Sequence, residues 1–258
     1  MCILAWHWQP GSATELLLVA NRDEAYARAA SPLHHWQGGE VLGGRDLHAG
    51  GTWMGAGRRR RFAALTNFRT GNPPDPNAPS RGSLVHHFLV DHRSARATLE
   101  QLAPESQRYN PFNLLLWDGT ELLGLEGRHG RIVALEPGWG GVSNADFHTP
   151  WPKLQRLQGA LQRLPRAAQT DAALLALLAD TTPAPAHALP RTGIRLEMER
   201  ALSSVFIHTP TYGTRASTVV RLGPQGVAMT EQTYLHGRPA GLVQESLAFH
   251  HDLDKTGR

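Results

Sequence analysis

The sequence predicts an α+β protein built from antiparallel or mixed sheets with helical layers outside them, and three observations carry that expectation. Short apolar runs broken by turn residues dominate residues 2–67, 112–144 and 204–234, while helical periodicity is confined to 83–92 and 152–178. These arrive in blocks rather than in strict βαβ alternation, which is the pattern of sheets covered by segregated helices. The makeup agrees: 258 residues, 41% hydrophobic and 19% charged, with 26 glycines and 18 prolines, describe a loop-rich globular protein with room for a large core. No repeat and no linker-like stretch divides the chain, so a single domain over residues 1–258 is expected.

Residues 2–8 and 15–21 are apolar runs separated by Gln9-Pro10-Gly11-Ser12, which reads as a hairpin. Gly43-Gly44 and Gly50-Gly51-Thr52-Trp53-Met54-Gly55 then lead to the run at 62–67, giving two further strands with a turn at Gly57. Four prolines and two asparagines make 70–79 a loop. Ser83, Leu84, Val85, Phe88, Leu89 and His92 follow helical spacing, with Ser80-Arg81-Gly82 placed to cap them. Four apolar runs come next, at 112–117, 121–125, 131–135 and 141–144, and Asp118-Gly119 is a strong hairpin signal between the first two. Pro152 opens a helix through Leu154, Leu157, Leu161 and Leu164, and Asp171 opens another through Leu174, Leu175, Leu177 and Leu178. Strands return at 204–208, 216–222 and 227–234, and the loops 70–79 and 181–195 are expected to shape any pocket.

Charge and composition remove several classes of function. The net charge is +4, and the basic run Arg58-Arg59-Arg60-Arg61 sits between Gly57 and an apolar strand without interleaved aromatics, so it reads as a solvated hairpin tip rather than a nucleic-acid surface. No apolar run approaches the roughly 20 residues that span a bilayer, and the first residues lack a secretory pattern, so a cytoplasmic protein is expected. The glycines are not followed by the Gly-Lys-Ser/Thr of a phosphate loop. Fourteen histidines include the pairs His34-His35, His86-His87 and His250-His251, but neighbouring histidines point in different directions and no His-Glu-x-x-His occurs, so neither a metal site nor a resident cofactor is expected.

The single cysteine, Cys2, allows no intrachain disulfide and no cysteine-based cluster. Its position directly after Met1 gives it another use. With the methionine removed, one residue would offer a thiol nucleophile and an α-amine that titrates near neutrality, so the amine could serve as its own base. The other reading of a lone cysteine is a small buried hydrophobe. Asn21-Arg22-Asp23-Glu24 ends the second run of the first hairpin, beside the start of the first run if the two pair. An arginine there would favour a thiolate and a carboxylate would orient the amine; the plainer reading is a solvated ion pair.

These residues belong to an ordered series: Met1-Cys2-Ile3, Asn21-Arg22-Asp23-Glu24, Gly50-Gly51-Thr52-Trp53, Ala64-Leu65-Thr66-Asn67, Arg81-Gly82, Ser143-Asn144 ahead of Pro150-Trp151-Pro152-Lys153, and Tyr212-Gly213-Thr214-Arg215 before Ser217-Thr218-Val219. The series, which covers residues 1 to about 222, resembles the NRDE family, also called the transport and Golgi organisation family. That family in turn resembles N-terminal-nucleophile hydrolases of the choloylglycine hydrolase and penicillin V acylase type. The resemblance implies a four-layer αββα sandwich and cleavage of a linear amide or acyl bond in a small-molecule substrate. It implies Cys2 as the nucleophile, Arg22 and Asp23 beside it, Asn67 and Asn144 as strand-end amides near the oxyanion, and Arg215 as a late arginine of the site. Those hydrolases place two residues between the arginine and the aspartate, so either Asp23 or Glu24 could meet the amine. The family is also implicated in handling haem and lipid or acyl-CoA, which makes a carrier of such a ligand the rival to an enzyme. A pocket rimmed by Trp6, His7 and Trp53 would suit either.

Overall fold

The computed structural model describes residues 2–250; Met1 and residues 251–258, including His251, lie outside the described residues. Cys2–Trp8 (β1) and Leu16–Ala25 (β2) form the first hairpin, followed by Ala30–His35 (β3), Val41–Asp46 (β4), Met54–Gly57 (β5) and Arg61–Asn67 (β6). Two helices, Gly82–Val90 (α1) and Ala95–Leu102 (α2), precede the strands Phe112–Trp117 (β7), Leu122–Glu126 (β8), Arg131–Ala134 (β9) and Gly138–Val142 (β10). Then come Pro152–Arg163 (α3), Asp171–Leu178 (α4), Leu196–Ala201 (α5) and the strands Tyr212–Gly223 (β11), Gly226–Leu235 (β12) and Arg238–Ala248 (β13).

The strands form two antiparallel sheets, one ordered β10-β1-β2-β11-β12-β13 and the other β3-β4-β5-β6-β7-β8-β9. Alternation along each strand sends residues to opposite faces. Leu4, Trp6, Leu18, Ala20 and Val220 of the first sheet meet Leu42, Met54, Phe62, Leu115 and Trp117 of the second in a central core. The outward face of the second sheet packs on Leu84, Val85, Phe88 and Leu89 of α1 and Leu99 of α2. The outward face of the first, with Ile3, Ala5, Leu17 and Val19, packs on Leu154, Leu157 and Leu161 of α3 and Leu174 and Leu178 of α4. Three apolar layers between four structural layers make an αββα sandwich. No helix among the described residues is long and apolar enough to cross a membrane.

Several elements depart from expectation for identifiable reasons. Residues 204–208 form no strand; their polar groups are satisfied locally and by a side chain, with Ser204 Oγ donating to the Phe206 carbonyl and Asn21 Nδ2 donating to the Val205 carbonyl. The strands β3, β4 and β13 and the helices α2 and α5 were not expected. β13 mixes polar and apolar residues and its exposure alternates along an edge, and α2 rests on its Ser94 cap, whose hydroxyl accepts from the Ala97 N–H, with only Ala95 and Leu99 buried. Within the basic run, Arg58 to Arg60 make the hairpin tip, but Arg61 is drawn into β6 and its guanidinium stacks 4.9 Å from the centre of the Phe88 ring.

Glu231 of β12 faces the central core, accepting from the Leu33 N–H at 2.8 Å and from Thr218 Oγ1 at 3.4 Å. Burial pushes its carboxyl up to about 6. A carboxyl raised on folding stabilises the folded state fully below its unfolded value near 4.5 and loses that contribution as pH rises through about 6. Between pH 4.5 and 7, Glu231→Gln should therefore gain about 2 kcal/mol relative to the wild type in denaturant unfolding. Identical pH dependences in the two proteins would remove this account of Glu231.

Candidate active site

The hairpin register sets Cys2 directly opposite Arg22. Both face inward, and both line a cavity of about 460 Å³ at the end of the two sheets. Cys2 is 8% exposed and Arg22 6%, so each reaches the cavity from an otherwise buried position. Asp23, Glu24 and Asn67 line the same cavity, as does the proline-rich loop through Pro74, Asp75 and Pro76. Asn110 pins that loop by accepting from the Asp75 N–H and donating to the Asp75 carbonyl, each at 2.8 Å.

Two of the sequence blocks turn out to be halves of one contact. A Cβ on Gly51 would lie 2.5 Å from the Gly82 carbonyl carbon, so the two backbones can approach only without side chains there. The Thr52 N–H donates to the Gly82 carbonyl at 3.2 Å across this contact. The approach sets Trp53 and Arg81 on the cavity wall. Arg22 then lays its guanidinium 4.2 Å from the centre of the Trp53 ring. Such stacking holds a cation without neutralising it. Among the described residues Arg22 makes no ion pair, so its charge faces the cavity.

Burial decides the ionisation of the thiol. It pushes the Cys2 pKa above the ordinary thiol value; Asp23 adds to the rise, while Arg22 and the Asp23 backbone N–H pull the other way without prevailing. Arg22 acts in the direction that favours a thiolate, but burial outweighs it and the resting group is a thiol. Asp23 itself is 1% exposed and accepts from Thr214 Oγ1 at 2.7 Å; burial raises its carboxyl, against the pull of Lys153. Glu24 is half-buried and accepts from the Ala25 N–H at 2.9 Å.

The two asparagines have unlike settings. The Asn67 carboxamide faces the Cys2 cavity and makes no hydrogen bond among the described residues. Asn144 is fully buried and lines a separate groove rather than the Cys2 cavity. Its Oδ1 accepts from Lys153 Nζ at 3.2 Å and its Nδ2 donates to the Asn67 carbonyl at 2.9 Å. Ser143 Oγ lies 3.2 Å from both Asn144 Oδ1 and the Cys2 carbonyl, with one proton to give to either. Asn144 thus ties β1 and β10 to the end of β6, a supporting place rather than one facing the thiol.

Arg215, at the register shift between β11 and β2, donates to the carbonyls of Ala25, Tyr26 and Arg28 at 2.9 to 3.1 Å. It does not line the cavity and serves the β2–β3 turn instead. Asn21 faces the helices, donating to the carbonyls of Leu178 and Val205 and accepting from Ser217 Oγ, so the first residue of its tetrapeptide clamps the α4 layer to the sheet. The expected aromatic rim also divides: Trp53 lines the cavity, Trp6 is sealed in the central core, and His7 points to the other face, stacked on Trp139 at 3.9 Å. Strand alternation dictates that split, since adjacent residues of β1 cannot share a face.

Lys153, Arg69 and Arg81 complete the surroundings, and the sequence alone assigns none of them a role. One signal was available for Lys153. It stands on the apolar stripe of α3, four residues before Leu157 and eight before Leu161, where a solvated lysine would not be expected.

A cysteine heading an inner strand, set against an arginine, a buried carboxylate and a carboxamide on one cavity, places the site at the end of a four-layer αββα sandwich. The chain matches the family model Transport and Golgi organisation 2 over residues 1–236. It is 36% identical to the Transport and Golgi organization protein 2 homolog of Bos taurus over 264 residues, covering 93% of this chain and 95% of that protein. It is 33% identical to the Homo sapiens homolog over 261 residues, covering 91% and 94%. The protein belongs to the Transport and Golgi organisation 2 family, as its ordered sequence blocks led us to expect. Among solved structures it is similar to the penicillin V acylase of Agrobacterium tumefaciens, at 14% identity and a TM-score of 0.47 over 95% of this chain and 85% of that one. It is also similar to the C2A mutant of the conjugated bile acid hydrolase of Clostridium perfringens, at 11% identity and a TM-score of 0.46 over 97% of each chain.

Proposed function

We propose that the protein is an N-terminal cysteine hydrolase that cleaves a linear amide or acyl bond of a small molecule after Met1 is removed. The observation that carries this reading is the sharing of one cavity by the Cys2 thiol, the unengaged Asn67 carboxamide and the uncompensated Arg22 guanidinium. Because burial keeps the thiol protonated, attack needs a base. The α-amine of mature Cys2 takes the thiol proton, directly or through one water, and the sulfur bonds to the substrate carbonyl carbon. Asn67 Nδ2 donates to the oxyanion, Arg22 adds positive potential, and Asp23 orients the amine. As the carbon–nitrogen bond breaks, the ammonium returns its proton to the leaving nitrogen. Water then attacks the thioester, giving one proton to the amine; the carbon–sulfur bond breaks, the ammonium returns that proton to the sulfur, and the carboxylic acid leaves with thiol and amine both restored.

Intact mass decides the first step. The isolated protein should lack Met1 and gain the mass of one acyl group when quenched during turnover of an amide or ester donor. Retention of Met1, joined to saturable binding of haem or an acyl-CoA without turnover, would replace this reading with that of a carrier on the same scaffold. For the oxyanion assignment, Asn67→Ala should lower kcat by about 100-fold or more with little change in KM, since one such donor contributes roughly 3 kcal/mol in the transition state. An unchanged kcat would take Asn67 out of the mechanism.

A further inference from the structure

Lys153 is 2% exposed at the start of α3. An ammonium so buried is expensive unless other groups require it there. Its Nζ donates to Asn144 Oδ1 at 3.2 Å. The titratable groups whose charge bears on it are Asp23 from β2, the Cys2 thiol from β1 once ionised, and Arg69 from the segment after β6. Arg69 ion-pairs with Glu199 of α5 at 2.7 Å, and the Asp23 carboxylate acts on both Arg69 and Lys153. Around Asp23, Thr214 Oγ1 donates to its carboxylate and the Tyr212 hydroxyl donates to its carbonyl, each at 2.7 Å.

Resting on the hydrolase reading, we propose that Lys153 is a positioning residue that keeps the α-amine of mature Cys2 in its free-base form, by facing Asp23 from the helical layer while it fixes Asn144. A carboxylate beside an amine orients it but also stabilises its ammonium form, commonly raising the pKa by one to three units from about 8. An amine so raised is protonated at neutral pH and cannot accept the thiol proton. A second cation acting on the same carboxylate offsets that rise, so Asp23 keeps its orienting hydrogen bond while the amine stays basic near neutrality. Burial lowers the Lys153 ammonium itself to about 8, so it remains a cation through the neutral range and loses its charge above it. The Asn144 bond adds a geometric consequence: the same ammonium holds the carboxamide that anchors the Asn67 carbonyl.

The single cysteine of the chain allows a direct test. Protein labelled with 15N-cysteine gives one signal, which in the mature chain is the α-amine of Cys2, and its pH titration reads that group without any turnover. In the wild type the midpoint should fall at or below about 8. Lys153→Met should raise it by about one unit, and Lys153→Arg should leave it within a few tenths. The acid limb of kcat/KM should move with it, with KM nearly constant. A midpoint unmoved in Lys153→Met, with only a loss of thermal stability, would overturn the proposal and leave Lys153 a structural residue. Should Lys153→Met not fold, the wild-type midpoint alone decides, because a value of 9 or higher contradicts an offset by Lys153. A titrating amine in a protein that turns over no amide or ester would defeat the hydrolase reading but not the electrostatic one. An amide signal, meaning that Met1 is kept, would overturn both.

Discussion

Cys2→Ala is expected to lose at least about a thousandfold in kcat on any amide or ester that the wild type hydrolyses, and to lose acyl-adduct formation altogether. The size of the effect follows from covalent catalysis: with no sulfur there is no thioester, and the remaining groups can bind and polarise a carbonyl but not attack it. The fold should survive. Cys2 is held by strand pairing to Arg22 through its backbone, and its side chain sits at the cavity wall rather than deep in the core. Truncation by one sulfur there should cost about 1 kcal/mol or less, well under a buried leucine truncation. Cys2→Ser refines the test, because its hydroxyl ionises far less readily than a thiol and should also be nearly inactive despite similar shape. The measurements are steady-state rates with the best acyl donor and thermal melts of all three proteins. Unchanged turnover in Cys2→Ala would end the nucleophile assignment, and the equality of the melts would show that the loss is chemical.

Glu199→Ala should destabilise the protein by about 3–5 kcal/mol, a fall in melting temperature of roughly 6–20 °C. Arg69 and Glu199 lie 2.7 Å apart with side chains only 4% and 3% exposed. Removing the carboxylate leaves an arginine charge buried without its counterion, which is the costly way to break such a pair. Glu199 also accepts from the Thr192 N–H and hydroxyl at 2.8 and 2.6 Å, and Arg69 stacks 4.6 Å from the centre of the Trp151 ring. The pair therefore joins α5 and its preceding loop to the segment after β6 and to the start of α3. That segment carries Asn67 two residues earlier, and the Arg69 N–H donates to the Asn144 carbonyl at 2.7 Å. Glu199→Gln, which keeps the shape and part of the hydrogen bonding, should cost less than the alanine variant. Chemical denaturation of the three proteins measures both steps, and a cost under about 1 kcal/mol for Glu199→Ala would show that water already screens the pair.

Legibility in the sequence followed the strength of local pattern. The opening hairpin, the hairpin at Asp118-Gly119 and the helices beginning at Pro152 and Asp171 could be read because turn chemistry and apolar spacing agreed there. β13 escaped because an edge strand needs no continuous apolar run, and residues 204–208 misled because a buried apolar segment need not pair as a strand when a side chain such as Asn21 meets its backbone. Of the candidate residues, Cys2, Arg22, Asp23 and Asn67 converge on one cavity, whereas Asn144 supports it from behind and Arg215 serves a turn. Which of two neighbouring strand residues enters a cavity is a matter of face, and the end of a strand, where Arg22 and Asp23 both reach it, is the place where that rule loosens.

By itself the sequence determined the family, the sheet-and-helix blocks and the placing of a lone cysteine beside Asn21-Arg22-Asp23-Glu24, because strand pairing, turn residues and ordered motifs are properties of short segments. Tertiary structure alone decided the ionisation of Cys2, the pairing of Arg69 with Glu199 and the turning of Lys153 toward Asp23 and Asn144. Those depend on desolvation and on charges brought together from segments far apart in the chain, and neither quantity exists until the layers have packed.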